Sequence, residues 1–396
     1  MLDLFGTDDE QREIENEDDS GADEVGLLEG VLVSDSDWTA ETILSQLSKG
    51  SILLNPRFQR RDAWDDERKS RFIESLLLGI PIPQLVLAEL QGHKGRYVVI
   101  DGKQRLLSLQ RFSGELQPAL RLRGLKVRHD LNGKTWDEIK GGAGRVDDVS
   151  SFENSPIRTT FVRGFKSEKA LFLIFHRLNS GSVPLSPQEL RHVLHPGPFI
   201  DFAFDFTESS AALITLLGRN GKSDFRMRDV EMLIRFFGFK YFLDSYRGDL
   251  KEFLDKTVQQ LNTSWASRES EIKSAAAECE QAVLLTIDIF GADAFSKIGP
   301  NGFERRFNRA VFDVMVYFFS DPGTRNAALV HREKVFQAFG TLSRDDAFRT
   351  TLETTTKSVD ATFNRLRYWG NALATAVRQR LPAVEAINDM VRRKSH

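Results

Sequence analysis

The sequence predicts an α+β protein in which a mixed α/β domain precedes an all-helical one. Three observations carry this expectation. Two apolar runs, Leu85 to Leu90 and Tyr97 to Ile100, flank a glycine-containing turn, as the arms of a hairpin do. The second run passes through Asp101-Gly102 straight into a helical pattern that lasts to Phe112. Beyond Phe165, apolar residues recur at helical spacing almost throughout.

Taken in order, residues 1–36 are acidic, rich in Ser and Gly and without periodicity, and are expected to form a disordered tail. Order is expected from Trp38, with Asp37 capping a helix to Leu47 whose inward face is Ile43, Leu44 and Leu47. Gly50 ends it, and Ser51 to Leu54 reads as a short strand. A second helix is expected from Asp65 and Asp66, whose carboxylates suit the positive end of a helix, to Leu77, with Gly79 closing it. Proline keeps Ile80 to Pro83 extended before the hairpin. Ala119 to Leu122 and Ile157 to Val162 read as strands, and Gly141 to Asn154 as a loop. The α/β domain is therefore drawn over 37–164 and the helical domain over 165–396. Its helices are expected at Glu168 to Leu178, Pro187 to Leu194, Val230 to Asp244, Leu250 to Leu261, Glu269 to Phe290, Phe303 to Phe319 and Ala361 to Leu381. Ser186-Pro187-Gln188-Glu189 has the form of a capping box with Pro at the first helical position.

With 396 residues, 41% of them hydrophobic and 30 of them Phe, the chain is long enough for two or three domains with substantial cores. Cys279 stands alone, which excludes an internal disulfide and a cysteine-based zinc cluster. No apolar run approaches a membrane span of about 20 residues, and the N-terminus lacks a secretory pattern, so a cytoplasmic protein without a membrane partner is expected. The net charge of -3 hides an asymmetry. The first 40 residues hold fourteen acids against Arg12 alone, leaving 53 Lys and Arg against 43 acids in the rest. A surplus of that size favours nucleic acid or nucleotides as partners; scattered over the surface, it equally serves to keep the chain solvated.

The strongest motif is Val98-Val99-Ile100-Asp101-Gly102-Lys103-Gln104-Arg105. A helix starting directly after a strand points its first backbone N–H groups outward, where an anion can accept them, and Gly102 allows close approach. Arg105 brings a planar donor fork and Lys103 a point charge. Asp101 suits a divalent ion or a water, and Gln104 the orientation of that water. On spacing alone, Asp-Gly is equally an ordinary turn, and Arg105 equally a partner for a core carboxylate. A second cluster, Arg57-Phe58-Gln59-Arg60-Arg61 with Trp64, suits phosphate clamping and base stacking or, as readily, an anchored basic loop. In the third, Arg177-Leu178-Asn179-Ser180-Gly181, a helix end carries Arg177 and Asn179, which also reads as a plain cap. Gly218 to Ser223 lacks the P-loop spacing, and His192 and His195 have no third ligand nearby beyond Glu189, which the capping box engages.

Taken together, Pro56-Arg57-Phe58-Gln59-Arg60, Trp64, Phe72 to Pro83, Ile100 to Arg105, Arg177 to Gly181 and Pro187 to Arg191 resemble the N-terminal domain of the GmrSD type IV restriction systems, over roughly 38–199. The resemblance implies a ParB/sulfiredoxin-like α/β fold and a role in prokaryotic defence against foreign or modified DNA. It implies nucleoside triphosphate binding and hydrolysis at the D-G-Q-Q-R box, with Mg2+ as cofactor. Asp101, Gln104 and Arg105 are then the catalytic residues, with Asp101 also the metal ligand. Gln59, Arg60, Gly102, Lys103, Arg177 and Asn179 become the nucleotide-binding set. Lys103 stands where the family has its first Gln, and no His-Asn-His nuclease segment is recognised, so DNA, a nucleotide, a separate effector nuclease and further copies of the chain are the expected partners. The competing expectation is a non-catalytic regulator that binds DNA or senses its modification.

Overall fold

A computed structural model describes residues 29–54, 63–165, 170, 171, 174, 186–218, 221–299, 302–353 and 358–394. Its N-terminal elements are β1 (Leu32–Thr39), α1 (Ala40–Ser48), β2 (Ile52–Leu53), α2 (Asp66–Leu77), β3 (Leu85–Glu89), β4 (Tyr97–Asp101), α3 (Lys103–Ser113), α4 (Trp136–Lys140), α5 (Val146–Glu153), β5 (Pro156–Arg163) and α6 (Pro187–Leu194). The strands form one mixed sheet in the order β1-β5-β3-β4-β2. β3 and β4 are the expected antiparallel hairpin, while β3 runs parallel to β5 and β2 parallel to β4.

Alternation along the central strands divides the core between two faces. Leu85, Leu87, Tyr97 and Val99 pack with Ile43, Ile73, Leu76, Leu106, Leu109 and Phe112 from α1, α2 and α3. Val86, Ala88, Val98 and Ile100 point the other way and pack with Val162, Phe165 and Leu190 of α6. A sheet covered on both faces needs continuous apolar strands, which is why Leu85 to Ala88 and Tyr97 to Ile100 carry no polar residue. Each large aliphatic side chain removed from water here contributes about 1.5–3 kcal/mol. The helix starts follow the sequence: the Asp65 side chain accepts from Arg68 N at 2.8 Å, and Gly79 leaves α2 at φ +65°.

Four expectations for this region are corrected. Strand β1 begins at Leu32, inside the segment read as a tail; residues 1–28 lie outside the described residues. Its polar sequence hides a strand that is exposed on nearly every position and held by pairing with β5, where Arg158 Nε meets Asp37 Oδ1 at 2.8 Å. The cap of α1 is consequently Thr39, which accepts from Thr42 N at 3.1 Å, and not Asp37. Ala119 to Leu122 is not a strand: Leu120 and Leu122 are buried, but Leu120 N donates to Arg111 O and Leu122 N to Lys134 O in irregular backbone. Within 141–154, residues 146–153 form α5, whose only fully buried side chain is Phe152.

The described residues fall into two units that divide between Leu194 and His195, further along the chain than the boundary drawn at residue 165. The second unit is helical: α7 (Pro198–Ser209), α8 (Ala211–Leu217), α9 (Arg228–Phe242), α10 (Leu250–Phe290), α11 (Arg309–Phe319), α12 (Pro322–Val330), α13 (Arg332–Leu342), α14 (Asp346–Glu353), α15 (Val359–Val377) and α16 (Pro382–Lys394). It is not all-α, because β6 (Ser296–Gly299) and β7 (Gly302–Phe307) pair as an antiparallel hairpin where the start of a helix was read at Phe303. Asn308 then caps α11 through Val311 N at 2.9 Å. The two helices read at 250–261 and 269–290 are one, α10, 41 residues long. Its polar middle has a structural use: Asn262 Oδ1 accepts from Phe199 N at 2.9 Å and Ile200 N at 3.2 Å, capping α7. The helix read at Glu168 to Leu178 lies outside the described residues apart from 170, 171 and 174. Among the described residues, no helix is long and apolar enough to cross a membrane.

Candidate functional site

β4 delivers Asp101 to its C-terminal end, Gly102 turns the chain at φ +99°, and α3 starts at Lys103. The glycine is required twice over. Its backbone lies in the left-handed region, and a Cβ built there would stand 2.2 Å from Leu85 Cδ2, at the start of β3. Having no side chain, Gly102 gives α3 no side-chain cap, so the first-turn amide groups have no N-cap side-chain oxygen to donate to.

Three consecutive polar side chains, Lys103, Gln104 and Arg105, are buried in that turn, and each is engaged within the protein. Arg105 Nη2 donates to Asp101 Oδ2 at 2.6 Å, with the two side chains 6% and 13% exposed. Its other terminal nitrogen, Nη1, donates to Pro83 O. The guanidinium thereby spans the strand end and the Pro81 to Pro83 segment. Gln104 Oε1 accepts from Trp64 N at 3.3 Å, and Trp64 O accepts from Lys69 Nζ, so the chain before α2 is tied to the corner. Lys103 Nζ donates to Glu189 Oε1 at 2.5 Å, with side chains 7% and 4% exposed.

The expected capping box is formed: Glu189 N donates to Ser186 Oγ at 3.1 Å, and Ser186 N to Glu189 Oε2 at 2.6 Å. One carboxylate therefore serves α6 through one oxygen and Lys103 through the other. The neighbouring turn of α6 holds a second buried polar pair, Arg191 Nη1 donating to Gln188 Oε1 at 2.6 Å.

Of the residues selected from the sequence, the structure brings together Asp101, Gly102, Lys103, Gln104 and Arg105. Gln59, Arg60, Arg177 and Asn179 lie outside the described residues. The alternative that gave Arg105 a carboxylate partner is realised, and the partner is Asp101 itself. Sequence reading missed Pro83, Leu85 and the backbone of Trp64, which act through a carbonyl, a methyl and an amide that no motif marks. Glu189 was legible as a cap; its second duty depends on a contact 86 residues away in the chain. As a cation site, the corner offers the Asp101 carboxylate, and among the described residues no group of three or more His, Cys, Asp or Glu is assembled. Such a set suits Mg2+ only in the form bound to a phosphate ligand, which needs one or two protein carboxylates.

Residues 40–195 match the model of the family described as GmrSD restriction endonuclease, N-terminal domain. No curated protein matches the chain. The match covers every element of the mixed sheet but β1, together with the Gly102 corner and α6, and over these residues the chain is similar to the N-terminal domain of the GmrSD restriction endonuclease family.

Proposed function

We propose that this domain is a ParB/sulfiredoxin-like module that binds a nucleoside triphosphate at the Gly102 corner, hydrolyses it, and couples nucleotide state to DNA recognition in a restriction-type defence system. The observation that supports it most directly is a helix start without a side-chain cap at the end of a central strand, on a glycine whose Cβ position is filled by Leu85. Amide groups at such a start suit phosphate oxygens, and the end of a sheet is where α/β folds hold ligands. In this reading Asp101 holds the ligand's Mg2+ or a water, and Gln104 orients that water. Lys103 supplies positive charge, while Arg105 works mainly through Asp101, whose carboxylate it aligns. Gln59, Arg60, Arg177 and Asn179 complete the phosphate contacts. Mg2+, when bound, supplies charge neutralisation on the phosphates.

The test is phosphate release from GTP, CTP, UTP and ATP with magnesium, comparing the wild-type chain with Asp101→Ala. Turnover of at least one nucleotide, lost in the variant, is expected; equal release from both removes the enzymatic claim. The closed Asp101–Arg105 pair favours a second reading, a non-catalytic DNA-binding or modification-sensing regulator that works with a separate effector nuclease. Its signature is salt-dependent DNA affinity with no turnover.

A further inference from the structure

Glu189 divides one carboxylate between two jobs, and the division puts an internal anion on Lys103, the first residue of α3. We infer that Glu189 is a positioning residue for the phosphate site: it holds the Lys103 ammonium in an internal ion pair, in competition with an incoming polyphosphate, and so sets the affinity of the corner. The inference rests on the triphosphate-binding reading above.

Three features support it. Lys103 is the first residue after the glycine corner, so its ammonium is tethered to the helix start whose amide groups are proposed to receive a phosphate. Its ammonium is directed to Glu189, and both side chains are almost wholly removed from water, where an ion pair is screened little. A phosphate that draws on this cation must share it with Glu189. Moreover, Glu189 sits three residues after Ser186 in the capping box, a position where Gln serves as well as Glu. Glu189→Gln thus keeps an oxygen for Ser186 N while removing the charge opposite Lys103, which separates capping from positioning.

Inorganic tripolyphosphate titrated calorimetrically into the wild-type chain, Glu189→Gln, Lys103→Gln and the double variant tests the idea, with thermal melts to verify folding. Glu189→Gln is expected to bind roughly three- to tenfold tighter, the scale of one partly screened charge. In the Lys103→Gln background the same substitution is expected to give no gain, because the gain requires the ammonium. A purely structural Glu189 would yield weaker binding or none of this dependence. Should Glu189→Gln fold poorly, Glu189→Asp provides the comparison: it keeps the charge, shortens its reach, and is expected to tighten binding by a smaller factor. Wild-type binding that neither substitution strengthens overturns the inference and leaves the triphosphate reading standing. Absence of tripolyphosphate and nucleoside triphosphate binding in every protein overturns both.

Discussion

Arg105 and Asp101 are bonded to each other across the glycine that separates β4 from α3, at 2.6 Å between Nη2 and Oδ2. This pair fixes the corner that the motif announced, because the same guanidinium also takes the carbonyl of Pro83. A strand end, a helix start and the segment before β3 are thereby held by one planar group. An acid so anchored keeps one orientation when a ligand arrives, which is what positioning a cation or water demands.

Removing the guanidinium should therefore cost folding free energy as well as any activity. Arg105→Ala leaves the Asp101 carboxylate buried without this partner and the Pro83 carbonyl without its donor, and about 2–4 kcal/mol of destabilisation is expected. Arg105→Lys should recover only part of it, since an ammonium has no planar fork to span two acceptors in different directions. Urea denaturation of the three proteins measures this. Stability within about 0.5 kcal/mol of wild type for Arg105→Ala would show that the pair contributes nothing.

Gly102→Ala combines two penalties. A left-handed backbone disfavours any residue with a Cβ by about 1–2 kcal/mol, and the new methyl would have to displace the Leu85 side chain 2.2 Å away, adding about 1–3 kcal/mol. A loss of about 2–5 kcal/mol is expected from chemical denaturation. Leu85→Ala in the same background should return part of the steric share and none of the backbone share. If the double variant loses more stability than the two single costs together, the clash is not the cause.

How much of this was legible follows from where each signal resides. The hairpin, the Gly102 corner, α2, α3 and the Ser186 capping box were all readable, because each is specified within a few residues by apolar runs, a glycine or a cap. β1 was not, because a strand exposed along nearly its whole length has no alternation to read, and only its pairing with β5 makes it one. Leu120 and Leu122 misled for the opposite reason: alternate burial imitates a strand where the backbone bonds go to Arg111 and Lys134. The break read inside α10 was real as a change of polarity, yet Asn262 uses it to cap α7, a contact no local pattern encodes. The candidate site divides in the same way. Asp101 to Arg105 could be named together because they are contiguous in the sequence, while the groups they bond, on Pro83, Trp64 and Glu189, come from distant parts of the chain.

Glu74 offers a test by pH. Its side chain is buried on α2, and its oxygens accept from the backbone N–H groups of Lys126 at 3.0 Å, Val127 at 2.7 Å and Arg128 at 2.8 Å. Burial works against the charge, but the three amide bonds outweigh it and hold the carboxyl below the usual Glu range. A depressed folded-state value means that Glu74 contributes its full stabilisation above the unfolded value of about 4.5 and loses it as pH falls through the folded value. Glu74→Gln should therefore be less stable than wild type at pH 7, with the gap narrowing below pH 4. Thermal melts across this range measure it, and a gap that stays constant to pH 3 would contradict the assignment. Glu74→Ala, which leaves three amides without an acceptor, is expected to cost about 2–4 kcal/mol at neutral pH.

In the helical unit, Arg235 of α9 and Asp313 of α11 form a two-point pair, Nε to Oδ1 at 3.0 Å and Nη2 to Oδ2 at 2.5 Å, in an interior where the side chains are 0% and 5% exposed. Removing water from both charges is costly, so the pair need not exceed an apolar contact of equal volume in stability. Breaking it is another matter. Asp313→Ala deprives the buried Arg235 guanidinium of this carboxylate and is expected to destabilise by about 3–5 kcal/mol, whereas Arg235→Met with Asp313→Leu should recover most of that loss. A double-mutant cycle followed by urea denaturation separates the two contributions. Recovery in the double variant would identify the pair as a device that fixes how α9 meets α11 and not as a net source of stability. Equal losses in the single and double variants would mean that the two charges stabilise the unit outright, beyond what apolar packing can replace.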